Sequence, residues 1–121
     1  MKHKVSELDG ALLDAAVAKV LGLHEVDGFW CRCDVPAMAP LPLVSVLHWR
    51  PSADWDQGGP IIERERIGTG FCESGPFAGK WFGQYDDERL GGNCHQIGDS
   101  PLIAAMRAYV ASRFGEEVEL P

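Results

Sequence analysis

Leu8, Leu12, Ala16 and Val20 recur at four-residue steps, with Leu13, Val17 and Leu21 beside them. That spacing lays one broad apolar face along a helix. Ser6 can cap it, Asp9 stands in weakly for the glutamate of a capping box, and Gly22 supplies a stop. The predicted helix covers residues 7–21. A second helix is predicted near the C-terminus. Asp99 or Ser100 caps it, Pro101 takes the first helical position, and Leu102, Met106, Tyr109 and Val110 form its face, flanked by Ile103 and Phe114. Gly115 ends it, leaving EEVELP as a short acidic tail.

Between these helices the pattern shortens to strand length. Residues 28–35 alternate around Trp30, Arg32 and Asp34, and 42–49 form a β-branched apolar run ending in Trp49. Segments 79–85 and 93–97 read as further strands. Glycines at 68, 70, 75, 79, 83, 91, 92 and 98 are read as turns, and Asp86, Asp87 and Glu88 as a solvated turn. Residues 61–67, IIERERI, fit either a charged-face strand or a short helix. The helix is preferred, with Pro60 at its first position, Ile61 or Ile62 facing inward with Ile67, and Glu63 near Arg66 outside. The predicted fold is α+β: a single domain over 1–121, with a small antiparallel sheet, N- and C-terminal helices and a short central helix.

Composition changes this picture little: 121 residues suit one domain, and 45% apolar with 24% charged residues is ordinary for a globular chain. The charge matters more. Eighteen acidic against 11 basic residues give a net −7. With no basic stripe, this disfavours nucleic-acid polymers and anionic membrane surfaces as partners. One phosphate can still be held locally, because the field of a site need not follow the net charge. No apolar run nears a membrane span, and the N-terminus lacks the apolar core of a secretory signal. The expected location is the cytoplasm, with the four cysteines reduced.

The densest chemistry lies in the connection RPSADWDQGG, residues 50–59. Arg50 can grip a phosphate. Trp55 offers a face for stacking, and Asp54 can accept hydroxyl hydrogen bonds. Gly58 and Gly59, read as the entrance to the helix beginning at Pro60, would offer backbone N–H groups to an anion. Ser52, Gln57, Glu63 and, from the 79–85 strand, Trp81 complete the candidate ligand site. The same residues also make ordinary turn chemistry, with Trp55 plugging a gap and Asp56 capping the helix. Trp30 and Trp49 are expected in the core.

Other chemistry is weaker. Cys31, Cys33, Cys72 and Cys94, with His48 and His95, invite a zinc reading, but Cys-x-Cys is not the usual knuckle spacing. Buried thiols are the plainer reading. A Cys–His nucleophile has no matching local signature. A hydrolase would need two of Asp54, Asp56 and Glu63 to converge. No catalytic residues, metal or cofactor are assigned. Open sheet edges, and Tyr109 and Phe114 beyond what one small core can hide, predict a homo-oligomer.

Three blocks, KVSELDGALLDAAVAKVLG, RPSADWDQGGPIIERERI and SPLIAAMRAYVASRFGEEVELP, resemble in order the NinX-like family of tailed phages and prophages. They span about half of the chain; residues 29–49 and 68–99 look less like the family pattern. The resemblance implies a phage accessory protein in the bacterial host cytoplasm and brings no activity with it. Some phage accessory proteins blunt host defence by sequestering nucleotide signals. The leading expectation is therefore a non-catalytic binder of a small polar, nucleotide-like ligand, a candidate counter-defence sponge. The alternatives are a module that binds a host or phage protein, and a small hydrolase acting on a nucleotide-like substrate.

Overall fold

The structure, a computed structural model, describes residues 1–32, 41–87 and 92–120. Strand β1 (Lys2–Lys4) leads through a 3-10 turn (Val5–Glu7) to helix α1 (Gly10–Val20). Strands β2 (Leu23–Val26), β3 (Phe29–Arg32) and β4 (Leu41–Ser45) follow, then helix α2 (Trp55–Glu65). Strands β5 (Gly68–Phe71), β6 (Trp81–Asp87) and β7 (Gly92–Gly98) precede helix α3 (Pro101–Phe114) and strand β8 (Glu117–Glu119). The class is α+β as expected, but among the described residues the strands form three antiparallel sheets instead of one: β1–β8, β2–β3–β4 and β5–β6–β7.

Helix α3 is the hub. The Ser100 hydroxyl accepts the Ile103 N–H at 3.1 Å, Pro101 opens the helix and Gly115 closes it. Its middle is buried nearly all round, from Leu102 to Ala111, so it is a core helix and not a one-faced surface helix. It lies directly on the β5–β6–β7 sheet. A Cβ at Gly83 would sit 2.4 Å from the Ala104 carbonyl oxygen, and one at Gly98 would sit 2.7 Å from the Ala104 nitrogen. These glycines were expected in turns. They lie within β6 and β7 and let the helix backbone approach the sheet. Gly68, Gly70 and Gly92 are likewise strand residues, and Asp86 and Asp87 lie in β6, not in a turn.

Helix α1 starts three residues later than predicted. Ser6 falls in the 3-10 turn, where Leu8 N–H bonds Val5 O at 3.2 Å, and Val5 and Leu8 are both buried. The chain thus enters the core before the helix begins, and Asp9 takes the cap position. Leu13, Ala16 and Val17 form the inner face, while Leu12 is exposed.

The acidic tail is a structural strand. β8 pairs with β1 through Lys2–Glu119, His3–Val118 and Lys4–Glu117. Val118 and Leu120 are buried, and the terminal ammonium meets Glu119 at 2.6 Å. Tyr109 is buried and Phe114 packs against the core, so neither is the surplus aromatic that self-association was expected to hide. Strand β4 stops at Ser45, so Trp49 lies in the connection beyond it and not in a strand.

At the end of α2, Arg66 turns left-handed with φ 56° and its N–H donates to the Glu63 carbonyl at 3.4 Å, while among the described residues the two side chains form no ion pair. Instead Glu65 meets Arg113 of α3 at 3.4 Å and the Tyr85 hydroxyl at 3.3 Å. Ile61 and Ile67 both face the core, as predicted. Cys31 is buried and Cys72 half-buried, both as free thiols. Cys33 and the Cys94 side chain lie outside the described residues. Among the described residues, no three His, Cys, Asp or Glu side chains are grouped to hold a metal ion.

Candidate functional site

The connection from Trp49 to α2 is built by hydrogen bonds that its own sequence supplies. Asp14, buried on α1, accepts the Ser52 N–H at 2.9 Å through Oδ1, and its backbone carbonyl accepts the Trp49 indole N–H at 2.7 Å. Pro51 and Ser52 are buried beside it. Burial pushes the Asp14 carboxyl above its ordinary range; the Ser52 hydroxyl, the Ser52 N–H and then the Arg50 charge oppose that rise.

Gln57 is the second fastening. Its Oε1 accepts the Arg50 N–H at 2.8 Å, and its Nε2 donates to His48 O at 2.6 Å and Asp54 Oδ2 at 3.1 Å. One α2 side chain therefore closes the loop from which the helix emerges. Asp54 is the helix cap: Oδ1 accepts the Asp56 N–H at 2.9 Å, and its carbonyl accepts those of Gln57 at 3.0 Å and Gly58 at 2.8 Å.

This cap moves the helix start five residues ahead of the predicted one. Gly58 and Gly59 are inside α2, and Pro60 is interior to it. The expected anion entrance is thereby overturned at Gly58, whose N–H is already bonded. Gly58 has a packing role: a Cβ there would meet Pro51 O at 2.3 Å and Leu102 Cδ2 at 2.6 Å. The predicted cap, Asp56, donates its N–H to the true cap.

The nine predicted ligand residues thus divide. Ser52, Asp54, Gln57 and Gly58 build the corner. Trp55, at 55% exposed, projects outward, and Arg50 and Glu63 are exposed too. Gly59 is half-buried, its nearest neighbour for an added Cβ being Trp55 Cε3 at 3.9 Å. Trp81 is not brought to Trp55. It packs edge-on against Phe71, with ring centroids 5.1 Å apart.

A cleft adjoins this corner that the sequence reading missed. It holds about 590 Å³ and is lined by Leu21, Gly22, Leu23, Arg32, Leu43, Val44 and Trp49. Its volume is that of a small-molecule site, and its walls are apolar with one guanidinium. Trp49, expected in the core, packs half-buried against it and also forms a wall of the cleft, its indole pinned by Asp14. The other walls come from the end of α1, from β2, β3 and β4.

In comparison with known families, the family described as bacteriophage P22, NinX matches residues 4–113. The chain belongs to that NinX family. The match runs through residues 29–49 and 68–99 as well as the three blocks first noted, so the NinX pattern takes in the cleft walls and the β5–β6–β7 sheet. No match is found among curated proteins. Among the described residues of this NinX-family chain, no helix is long and apolar enough to cross a membrane.

Proposed function

We propose that this NinX-family protein is a non-catalytic phage accessory protein that binds a small ligand at the Trp49–Trp55 corner. The observation that carries this reading is the 590 Å³ cleft with Trp49 fixed in its wall. An aromatic wall held by a hydrogen bond loses little freedom on binding, which favours affinity. The apolar lining suits the flat body of a ligand. Arg32 in the wall suits an anionic group; Arg50 and Trp55 lie outside the lining, exposed on the adjoining corner, and in this proposal reach the part of the ligand that projects from the cleft. Nucleotide-derived signals have this chemistry, and sequestering one in the host cytoplasm would serve as counter-defence.

Asp54 and Gly58 stand outside this ligand site, because their polar groups already hold the corner together. The hydrolase alternative loses Asp54 for the same reason. A second reading, docking of a host or phage protein, draws on exposed apolar side chains: Leu47 is 85% exposed, Trp55 55% and Leu43 51%. Self-association belongs to the proposal through the open edges of β2–β3–β4 and β5–β6–β7.

The test is a tryptophan-fluorescence titration of the purified protein with a panel of nucleotide signals. Binding should weaken by about tenfold or more in Trp55→Ala, the loss expected for an aromatic anchor. Circular dichroism should stay unchanged, because Trp55 projects from the helix. A panel that produces no quenching, alongside capture of a defined protein partner, would favour the second reading.

A further inference from the structure

A second cleft, of about 530 Å³, opens elsewhere on the molecule and gathers cationic chemistry in this acidic chain. Arg107 of α3 lines it beside Lys80, His95, Asp99, Phe77 and Ser6. Arg107 is held in place by two backbone carbonyls, Nε to Leu8 O and Nη1 to Ile97 O, both at 2.7 Å. These bonds orient the guanidinium plane, and its Nη2 has no protein partner among the described residues. Lys80 pairs with Asp99 at the rim, where both side chains are largely exposed. His95 stacks on Phe82 at 5.4 Å between ring centroids, which fixes the plane of the imidazole. Phe77 is 52% exposed.

We propose that this cleft is a binding site for a phosphate-bearing small molecule. A fixed guanidinium offers directed donors to phosphate oxygens, and an ammonium adds a mobile point charge. His95 can donate a third hydrogen bond, and Phe77 offers an apolar face to whatever the phosphate carries. Two carboxylates act against an anion here. Asp99 holds Lys80 at the rim, and Asp9, outside the lining, is close enough for Arg107 to feel its charge. Asp99 therefore acts as an internal competitor: an arriving phosphate takes over Lys80, and the carboxylate turns to water. The site is independent of the Trp49–Trp55 reading and shares no residue with it.

The experiment is a calorimetric and NMR titration of the full chain with adenosine monophosphate, adenosine and inorganic phosphate. Adenosine monophosphate should bind, shifting the His95 and Gly98 resonances, while adenosine should not. Inorganic phosphate matching the monophosphate would identify free phosphate as the source. A weaker response to phosphate would identify a phosphate ester. Lys80→Ala should weaken binding roughly tenfold, as for loss of a charged hydrogen bond. Asp99→Asn should tighten it, a gain that a purely structural ion pair would not produce. Both positions are exposed, so neither change threatens folding, and in Trp55→Ala the His95 and Gly98 shifts should be unchanged. The proposal is overturned if neither phosphate compound binds, if adenosine binds equally well, or if Lys80→Ala and Asp99→Asn leave the affinity unaltered.

Discussion

Asp14 shows how a single residue sets the geometry of the candidate site. It joins α1 to the loop through the Ser52 N–H and to the cleft wall through the Trp49 indole. Only the first of these bonds uses its side chain. Asp14→Ala should leave the buried Ser52 N–H without a partner and cost about 1–3 kcal/mol in denaturant unfolding. Asp14→Asn keeps an acceptor oxygen and removes the buried charge, so it should be at least as stable as the parent near neutral pH. The pH dependence follows the same sign. The folded-state carboxyl titrates above its unfolded value because burial disfavours the charge. Between those two values the folded state holds more proton, so the Asp14 contribution to stability falls as pH rises through that window. The stability difference between Asp14→Asn and the parent should therefore widen from acid to neutral pH in parallel unfolding curves. A constant difference would mean that burial does not govern this group. Nothing in the sequence around Asp14 marks it for this role, since it sits among alanines and leucines on a helix read only for its apolar face.

At the scale of elements, α2 separates what local pattern reveals from what it does not. The helix reading of 61–67 holds for residues 61–65; Arg66 closes the helix, and Ile67, buried in the same core as Ile61, lies just beyond it. Its start was misplaced because Pro60 is a strong local signal for a first position, whereas the actual cap depends on Asp54 and the Gln57 fastening across the loop. The two adjacent glycines give a direct test. Gly58→Ala should destabilise by about 1–3 kcal/mol through overpacking against Pro51 and Leu102, despite the better helix propensity of alanine. Gly59→Ala has space, with its nearest neighbour 3.9 Å away, and should stabilise by about 0.5–1 kcal/mol. Thermal unfolding of both variants checks this; equal shifts would remove the packing role given to Gly58. Strands β6 and β7 and helix α3 were legible from alternation, capping and the Pro101 and Gly115 signals. The β2–β3 hairpin also carried a readable mark in Asp27-Gly28, both left-handed with φ 52° and 82°. Strand β8 was hidden because three residues of alternating EVE are too few to announce a partner at the far end of the chain.

Across the whole molecule, the limits of sequence reading are limits of long-range contact. The 50–63 segment is chemically dense, but Ser52, Asp54 and Gln57 turn inward to stabilise a corner, leaving Arg50, Trp55, Asp56 and Glu63 exposed. The two clefts escaped notice because their walls come from segments far apart in sequence: Leu21 to Trp49 for one, Ser6 to Arg107 for the other. Only tertiary structure brings an apolar cleft beside the Trp49–Trp55 corner and a cationic cleft into an acidic protein.

Whether the Trp49–Trp55 corner holds a small ligand is decided by native mass spectrometry of the purified protein. The expected result is a folded species heavier than the bare 13.2 kDa chain or than an integral multiple of it. Denaturation should release an anionic, ultraviolet-absorbing small molecule, and Trp55→Ala should arrive empty. The same spectrum gives the oligomeric state. A bare folded protein that also fails to take up any member of a nucleotide-signal panel, with Trp55→Ala indistinguishable from the parent, would contradict the account and leave the corner as architecture alone.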